Sequence, residues 1–101
     1  KLKTLNLGRM NTSRVTSMEK MFNNMWALEN LDVSSFDTRN VDTMRGMFLN
    51  DASLVNLNLS SFDTRKVTDM GYMFYGMKKI NSLDLSSFIT SKVTDMFSMF
   101  F

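Results

Sequence analysis

Eleven methionines in a chain of 101 residues are the first side chains whose type and spacing could do chemistry. Met18 and Met21, Met44 and Met47, Met70 and Met73, and Met96 and Met99 are paired three residues apart, and thioether sulfur is a ligand for soft metals such as copper. The same residues recur with Phe on one apolar face, however, as packing side chains do, and core packing is the favoured reading. No metal and no cofactor are expected.

The second candidate is a basic column, Arg14, Arg39, Arg65, Lys66 and Lys92. Stacked in register it would form a positive stripe able to hold a polyanion. Asp37 and Asp63 precede Arg39 and Arg65 by two residues and could neutralise part of it. No aromatic side chains interleave the stripe, and the net charge is only +2, so nucleic acid is not an expected partner and a solvated turn is favoured. The third candidate is polar: Glu29, Asn30 and Asp32, then Asn56 and Asn58, then Asn81, Ser82 and Asp84, all at outward positions of short strands. Extended strand faces of this kind bind partners in repeat proteins. This one lacks the aromatic and Arg anchors that usually carry affinity, unless Arg9 or Trp26 reaches it.

What the chain lacks narrows the chemistry further. It has no Cys, no His and no Pro, so disulfides, thiolate nucleophiles, the usual zinc sets and a Ser-His-Asp group are excluded. The pairs Ser34-Ser35, Ser60-Ser61 and Ser86-Ser87 have no base beside them and are better read as turn formers. Only carboxylate chemistry by Asp and Glu stays open in principle, and no enzymatic activity is expected.

These side chains are positioned by a repeat of twenty-six residues without insertions, which gives units 2–27, 28–53, 54–79 and 80–101 within one domain. Leu2, Leu28, Leu54 and Ile80 share a column. So do Leu5, Leu31, Leu57 and Leu83; Leu7, Val33, Leu59 and Leu85; Met10, Phe36, Phe62 and Phe88; and Thr12, Thr38, Thr64 and Thr90. Val15, Val41, Val67 and Val93 follow, then the two Met columns, then Phe22, Phe48, Phe74 and Phe100. The Leu31-x-Val33 alternation predicts a short strand. Val41, Met44, Met47 and Phe48 fall at i, i+3, i+6 and i+7, which predicts a helix of about two turns. Thr16, Asp42, Thr68 and Thr94 are its expected N-caps, Thr16 and Glu19 having capping-box spacing, and Asn24, Asn50 and Gly76 its left-handed ends. The Thr column is expected to link hydroxyl to hydroxyl or to bond turn backbone.

Leu31-Asp32-Val33-Ser34-Ser35-Phe36-Asp37-Thr38 followed by Val41-Asp42-Thr43-Met44-Arg45-Gly46-Met47-Phe48 resembles the repeat of BspA-like leucine-rich surface proteins, found also in bacterial surface lipoproteins. Leu57-Asn58-Leu59-Ser60-Ser61-Phe62-Asp63-Thr64, with Val67-Thr68-Asp69-Met70 and Met73-Phe74, is equally similar, and the likeness covers essentially the whole chain. The first unit departs, with Gly8-Arg9-Met10 where the others have Ser-Ser-Phe. The resemblance implies a secreted or cell-surface bacterial protein, often in long arrays, with a role in adhesion; it implies no particular ligand.

The expected fold is therefore α/β: a leucine-rich-repeat-like solenoid of four strand-turn-short-helix coils with a parallel sheet on one face. The expected function is non-catalytic binding of a protein or glycan on a host or microbial surface. The alternatives are a rigid spacer holding another domain, and an intracellular or phage-borne recognition or assembly module. An extracellular or cell-surface location is expected, with any membrane attachment lying outside this segment. The absence of a polar cap at either end and the cut at Met99-Phe100-Phe101 suggest a piece of a longer array whose repeats also contact one another.

Overall fold

The computed structural model describes residues 3–7 and 10–100; the expected roles of Leu2, Gly8, Arg9 and Phe101 lie outside them. Two short strands, β1 (Thr4–Asn6) and β2 (Asn30–Asp32), pair in parallel, with Thr4 opposite Asn30, Leu5 opposite Leu31 and Asn6 opposite Asp32. A single further parallel bridge joins Asn30 to Asn56. The expected four-stranded face is thus a two-stranded sheet with one added bridge. The residues following Ile80 take no part in it.

The pairing steps by twenty-six residues, and the same register runs through the rest of the chain. Isolated parallel bridges link Ser17 to Thr43, Thr43 to Asp69, Asp69 to Asp95 and Phe74 to Phe100. Side chains of one column therefore stack on one another. Phe22, Phe48, Phe74 and Phe100 lie in sequence with ring centroids 5.8, 5.7 and 5.5 Å apart, and Phe36, Phe62 and Phe88 stack at 6.4 Å. The core consists of Phe22, Phe36, Phe48, Phe62 and Phe74 with Leu28, Val33, Leu54 and Leu59, the Val41 and Val67 pair, and the inner methionines; Phe88 packs against it and Phe100, at the end of its stack, is exposed. Met44, Met47, Met70 and Met73 are wholly buried, which places the paired sulfurs among packed apolar side chains.

The expected helix is absent. Among the described residues there is no α-helix, and the stretches predicted to form one are chains of tight turns. The reason is visible in where the main-chain donors go. Met44, Gly46, Phe48 and Asn50 donate to the carbonyls of Asp69, Gly71, Met73 and Tyr75 in the next unit, not to the residue four before them. Met47 and Leu49, in between, close four-residue turns onto the carbonyls of Met44 and Gly46. Half the amides are therefore spent between units, and an α-helix needs all of them within itself.

This path requires positive φ every fourth residue. Lys20 and Asn24, Gly46 and Asn50, and Tyr72 and Gly76 supply it, with φ of 56° and 62°, 64° and 63°, and 56° and 80°. Asn24, Asn50 and Gly76 are thus left-handed as the sequence predicts, although they close turns. Gly76 has a second constraint, because a Cβ there would collide with Asn50 Oδ1. Tyr72 is a bulky residue in the same conformation. Its ring packs edge-on to Tyr75 and Phe97, and the Arg45 guanidinium sits 5.2 Å from its centroid, contacts that offset the backbone cost.

The expected N-caps are corrected too. The Asp42, Thr68 and Thr94 amides donate to the carbonyls of Thr16, Asp42 and Thr68, so this column is a main-chain ladder. The local turns are formed one residue later. Asp69 Oδ1 accepts from the Gly71 amide at 2.9 Å and Asp95 Oδ1 from that of Phe97 at 2.8 Å, while Ser17 and Thr43 do the same more weakly for Glu19 and Arg45.

Candidate functional site

The Thr column shows how firmly one unit holds the next. Thr12, Thr38 and Thr64 hydroxyls each donate to the carbonyl of the residue twenty-five further on, Asp37, Asp63 and Ile89, and accept the amide of that same residue, at 2.7–3.0 Å. Of the two linkages the sequence allows, hydroxyl to hydroxyl or hydroxyl to backbone, the second is the one formed.

On the strand side this tie is lost between the third and fourth units. Among the described residues no main-chain hydrogen bond joins 54–59 to 80–85. The two segments diverge from Ser87, whose hydroxyl still reaches the Leu59 carbonyl at 3.0 Å. Between them lies an open cleft of about 660 Å³, within the usual size of ligand sites, walled by Val55 to Ser60 on one side and by Asn81, Ser82, Asp84 and Ser86 on the other. Leu57, on the cleft wall, is half-buried.

The corners that precede the strand segments differ at the same place. The Met25 amide donates to Asp51 Oδ1 at 2.9 Å, which pins the corner of the first unit to that of the second. Met77 occupies the next position of that column and has no oxygen to offer. The exposed Lys78 and Lys79 that follow leave Ile80 to Asp84 without main-chain bonds. Asp51 is itself unusual, being fully buried with Oδ2 unpartnered among the described residues, and burial pushes its carboxyl up to about 7 against the opposing Met25 bond.

The polar residues singled out by sequence divide into two groups. Asn56, Asn58, Asn81, Ser82 and Asp84 meet in the cleft. Glu29, Asn30 and Asp32 lie one unit away on the sheet, where Asn56 Nδ2 reaches Asn30 Oδ1 at 3.4 Å. Asp32, Asn58 and Asp84 also carry a role the sequence reading missed: each accepts the amide two residues on, from Ser34, Ser60 and Ser86, all at 2.9 Å. The Ser34 and Ser86 contacts hold Asp32 and Asp84 below the usual carboxylate range. With Asn11, Asp37 and Asp63, which cap the next corner in the same way, they form columns of turn acceptors. Regular recurrence of short polar acceptors was the signal. Trp26, exposed, is not among the residues lining the cleft, and Arg9 lies outside the described residues.

Two of the five residues of the basic stripe are paired with carboxylates. Arg65 forks onto Asp63, with Nε and Nη2 at 3.0 and 2.7 Å, and holds its carboxyl low; Arg39 pairs with Asp37 at 3.2 Å. Lys66 donates to Asn40 Oδ1 at 3.3 Å, and Arg14 and Lys92 are exposed. The best-enclosed cation is another residue, Arg45, which bridges Asp69 at 3.3 Å and Asp95 at 3.1 Å. Among the described residues no three acidic side chains converge as a metal site would require.

A family model described as "Mycoplasma protein of unknown function, DUF285" matches residues 1–101. No curated protein and no solved structure matches the chain. The chain belongs to that bacterial repeat family.

Proposed function

We propose that the chain is a non-catalytic binding module of a bacterial cell-surface protein, built as a four-coil, BspA-like leucine-rich solenoid, whose polar strand side binds a protein or glycan on a host or microbial surface. The register of hydrogen bonds, repeating at twenty-five and twenty-six residues, supports the solenoid. The observation that carries the binding reading is the cleft: Asn56, Asn58, Asn81, Ser82 and Asp84, from two units, gather around a solvent-open space. A polar lining of amides, hydroxyls and one carboxylate suits recognition by hydrogen bonding more than by apolar anchoring.

The test is adhesion of the isolated chain to cells or matrix proteins, before and after replacing Glu29, Asn30, Asn56 and Asn81 with Ala. Asp32, Asn58 and Asp84 are left intact because they form turns. Loss of adhesion with an unchanged melting temperature is expected; undiminished adhesion rejects the strand side as the binding surface. The spacer reading is favoured by one feature, the unbroken Phe and Thr stacks, which make the array stiff, and it would be the better account if the parent chain binds nothing.

A further inference from the structure

The cleft between the third and fourth units is walled by main chain with unused hydrogen-bonding capacity, and side chains alone do not explain its shape. In the first two units, the Leu7 amide donates to the Asp32 carbonyl, and the Lys3 carbonyl accepts from the Glu29 and Asn30 amides. The equivalent groups in the cleft are the Leu59 amide and Val55 carbonyl on one wall and the Asp84 carbonyl and the Asn81 and Ser82 amides on the other. None has a main-chain partner among the described residues. The third strand segment, reached by the Asn30 to Asn56 bridge, is therefore an open edge of the sheet that faces into a cavity.

Deepening the proposed binding function and resting on it, we propose that this cleft takes an extended peptide segment, which adds to the open edge at Val55–Leu59 through its main chain. Only a ligand with alternating amide donors and carbonyl acceptors matches that edge; a sugar offers hydroxyls but no such spacing. The side-chain pattern of the walls sets the class of peptide. Along one wall the apolar Val55, Leu57 and Leu59 alternate with the polar Asn56, Asn58 and Ser60, and the facing wall is polar, with Asn81, Ser82 and Asp84. A strand added between them meets apolar surface at every second residue and polar surface at the others, so the fitting peptide alternates apolar and polar side chains, with a basic one favoured beside Asp84. Segment 80–84, which packs on the core through Ile80 and Leu83 but makes no main-chain hydrogen bonds among the described residues, shifts to accommodate it.

The probe is a synthetic heptapeptide with the sequence of residues 54–60, Leu-Val-Asn-Leu-Asn-Leu-Ser, titrated into the full chain labelled for amide NMR. Its twin carries N-methyl groups on alternate residues, which removes donors and keeps every side chain. The expected result is saturable shifts of the amides of 55–59 and 81–84, with binding weakened about tenfold or more by N-methylation. Equal binding of both peptides would overturn the main-chain mode in favour of a side-chain or glycan site. Absence of binding would overturn the proposal altogether.

A second arm closes the cleft. In a chain without Cys, Asn56→Cys with Ser82→Cys forms a clean pair at the register positions that would face each other. The comparison is between the two redox states of this one variant: the oxidised form should bind the peptide at least about tenfold more weakly than the reduced form, and equal binding by both contradicts the site. Peptide binding with no adhesion in the cell assay would sink the surface-adhesion reading and leave this one standing, and adhesion without peptide binding would do the reverse.

Discussion

The third and fourth units meet in two places, and the contrast between them explains most of the molecule. From Phe62 to Phe74, facing Phe88 to Phe100, three kinds of contact run side by side. The rings stack, Thr64 clasps the backbone of Ile89, and the Met70, Tyr72 and Phe74 amides donate to the Asp95, Phe97 and Met99 carbonyls. From Leu54 to Leu59, facing Ile80 to Leu85, none of these forms. Both regions belong to the same two units and carry regularly spaced apolar columns, of Val, Met and Phe in one and of Leu in the other. Apolar periodicity therefore brings units together but does not zip them; the joined half has a buried hydroxyl or a turn acceptor at each corner, and the open half lacks its pin where Met77 stands in the column of Asp51.

The largest way to break this contrast is to charge the joined half. Met70→Asp or Phe62→Asp puts an uncompensated carboxylate where the stack is completely dry, and the chain should lose cooperative unfolding altogether. A normal melting curve would contradict the column assignment. Phe48→Ala, also inside the stack, should cost about 3–5 kcal/mol in denaturant unfolding. Thr64→Val comes next: it leaves the Ile89 amide and carbonyl unpaired and should cost about 2–4 kcal/mol, whereas Leu83→Ala on the open side, where the side chain is only half-buried, should cost less than about 1.5 kcal/mol. Equal losses at the two sites would erase the distinction between the halves.

Asp51 supplies a pH-dependent comparison. Its folded-state value, about 7, lies above its ordinary 3.8, so the folded chain retains a proton that the unfolded chain releases. That contribution is complete below pH 3.8 and is lost as pH rises toward about 7. Asp63, held low by Arg65, works in the opposite direction at acid pH. Asp51→Asn isolates the first effect: parent and variant should melt alike near pH 4 and diverge toward pH 8, the variant then being the more stable. Parallel melting curves across that range would show that Asp51 is not held in its neutral form. The smallest expected effect is at the stripe, where Arg14→Gln or Lys92→Gln should leave stability within about 0.5 kcal/mol of the parent.

How much of this was legible beforehand differs by residue type. The apolar and Thr columns announced themselves, because a buried position tolerates few residues and recurs at every period. The helix was misread because Val41, Met44, Met47 and Phe48 have the spacing that successive tight turns also produce. Gly46, between two of them, and Asn50, four residues on, were the breaking signals: positive φ at that interval fits a chain of turns and no α-helix. The polar positions of the strand side could be picked out, but their division of labour was not visible. Asp32, Asn58 and Asp84 look like surface groups in sequence and are turn acceptors in the fold, and the bond from Met25 to Asp51, which has no counterpart at Met77, is recorded by no local pattern.

Amide hydrogen exchange resolved residue by residue tests the central contrast most directly. The amides of Met70, Tyr72 and Phe74 should exchange only on global unfolding, while those of Leu59, Asn81 and Ser82 should exchange far faster under the same conditions. If Leu59 and Asn81 prove as slow as Met70, the fourth unit is zipped along its whole length, and there is no open edge for a partner to join.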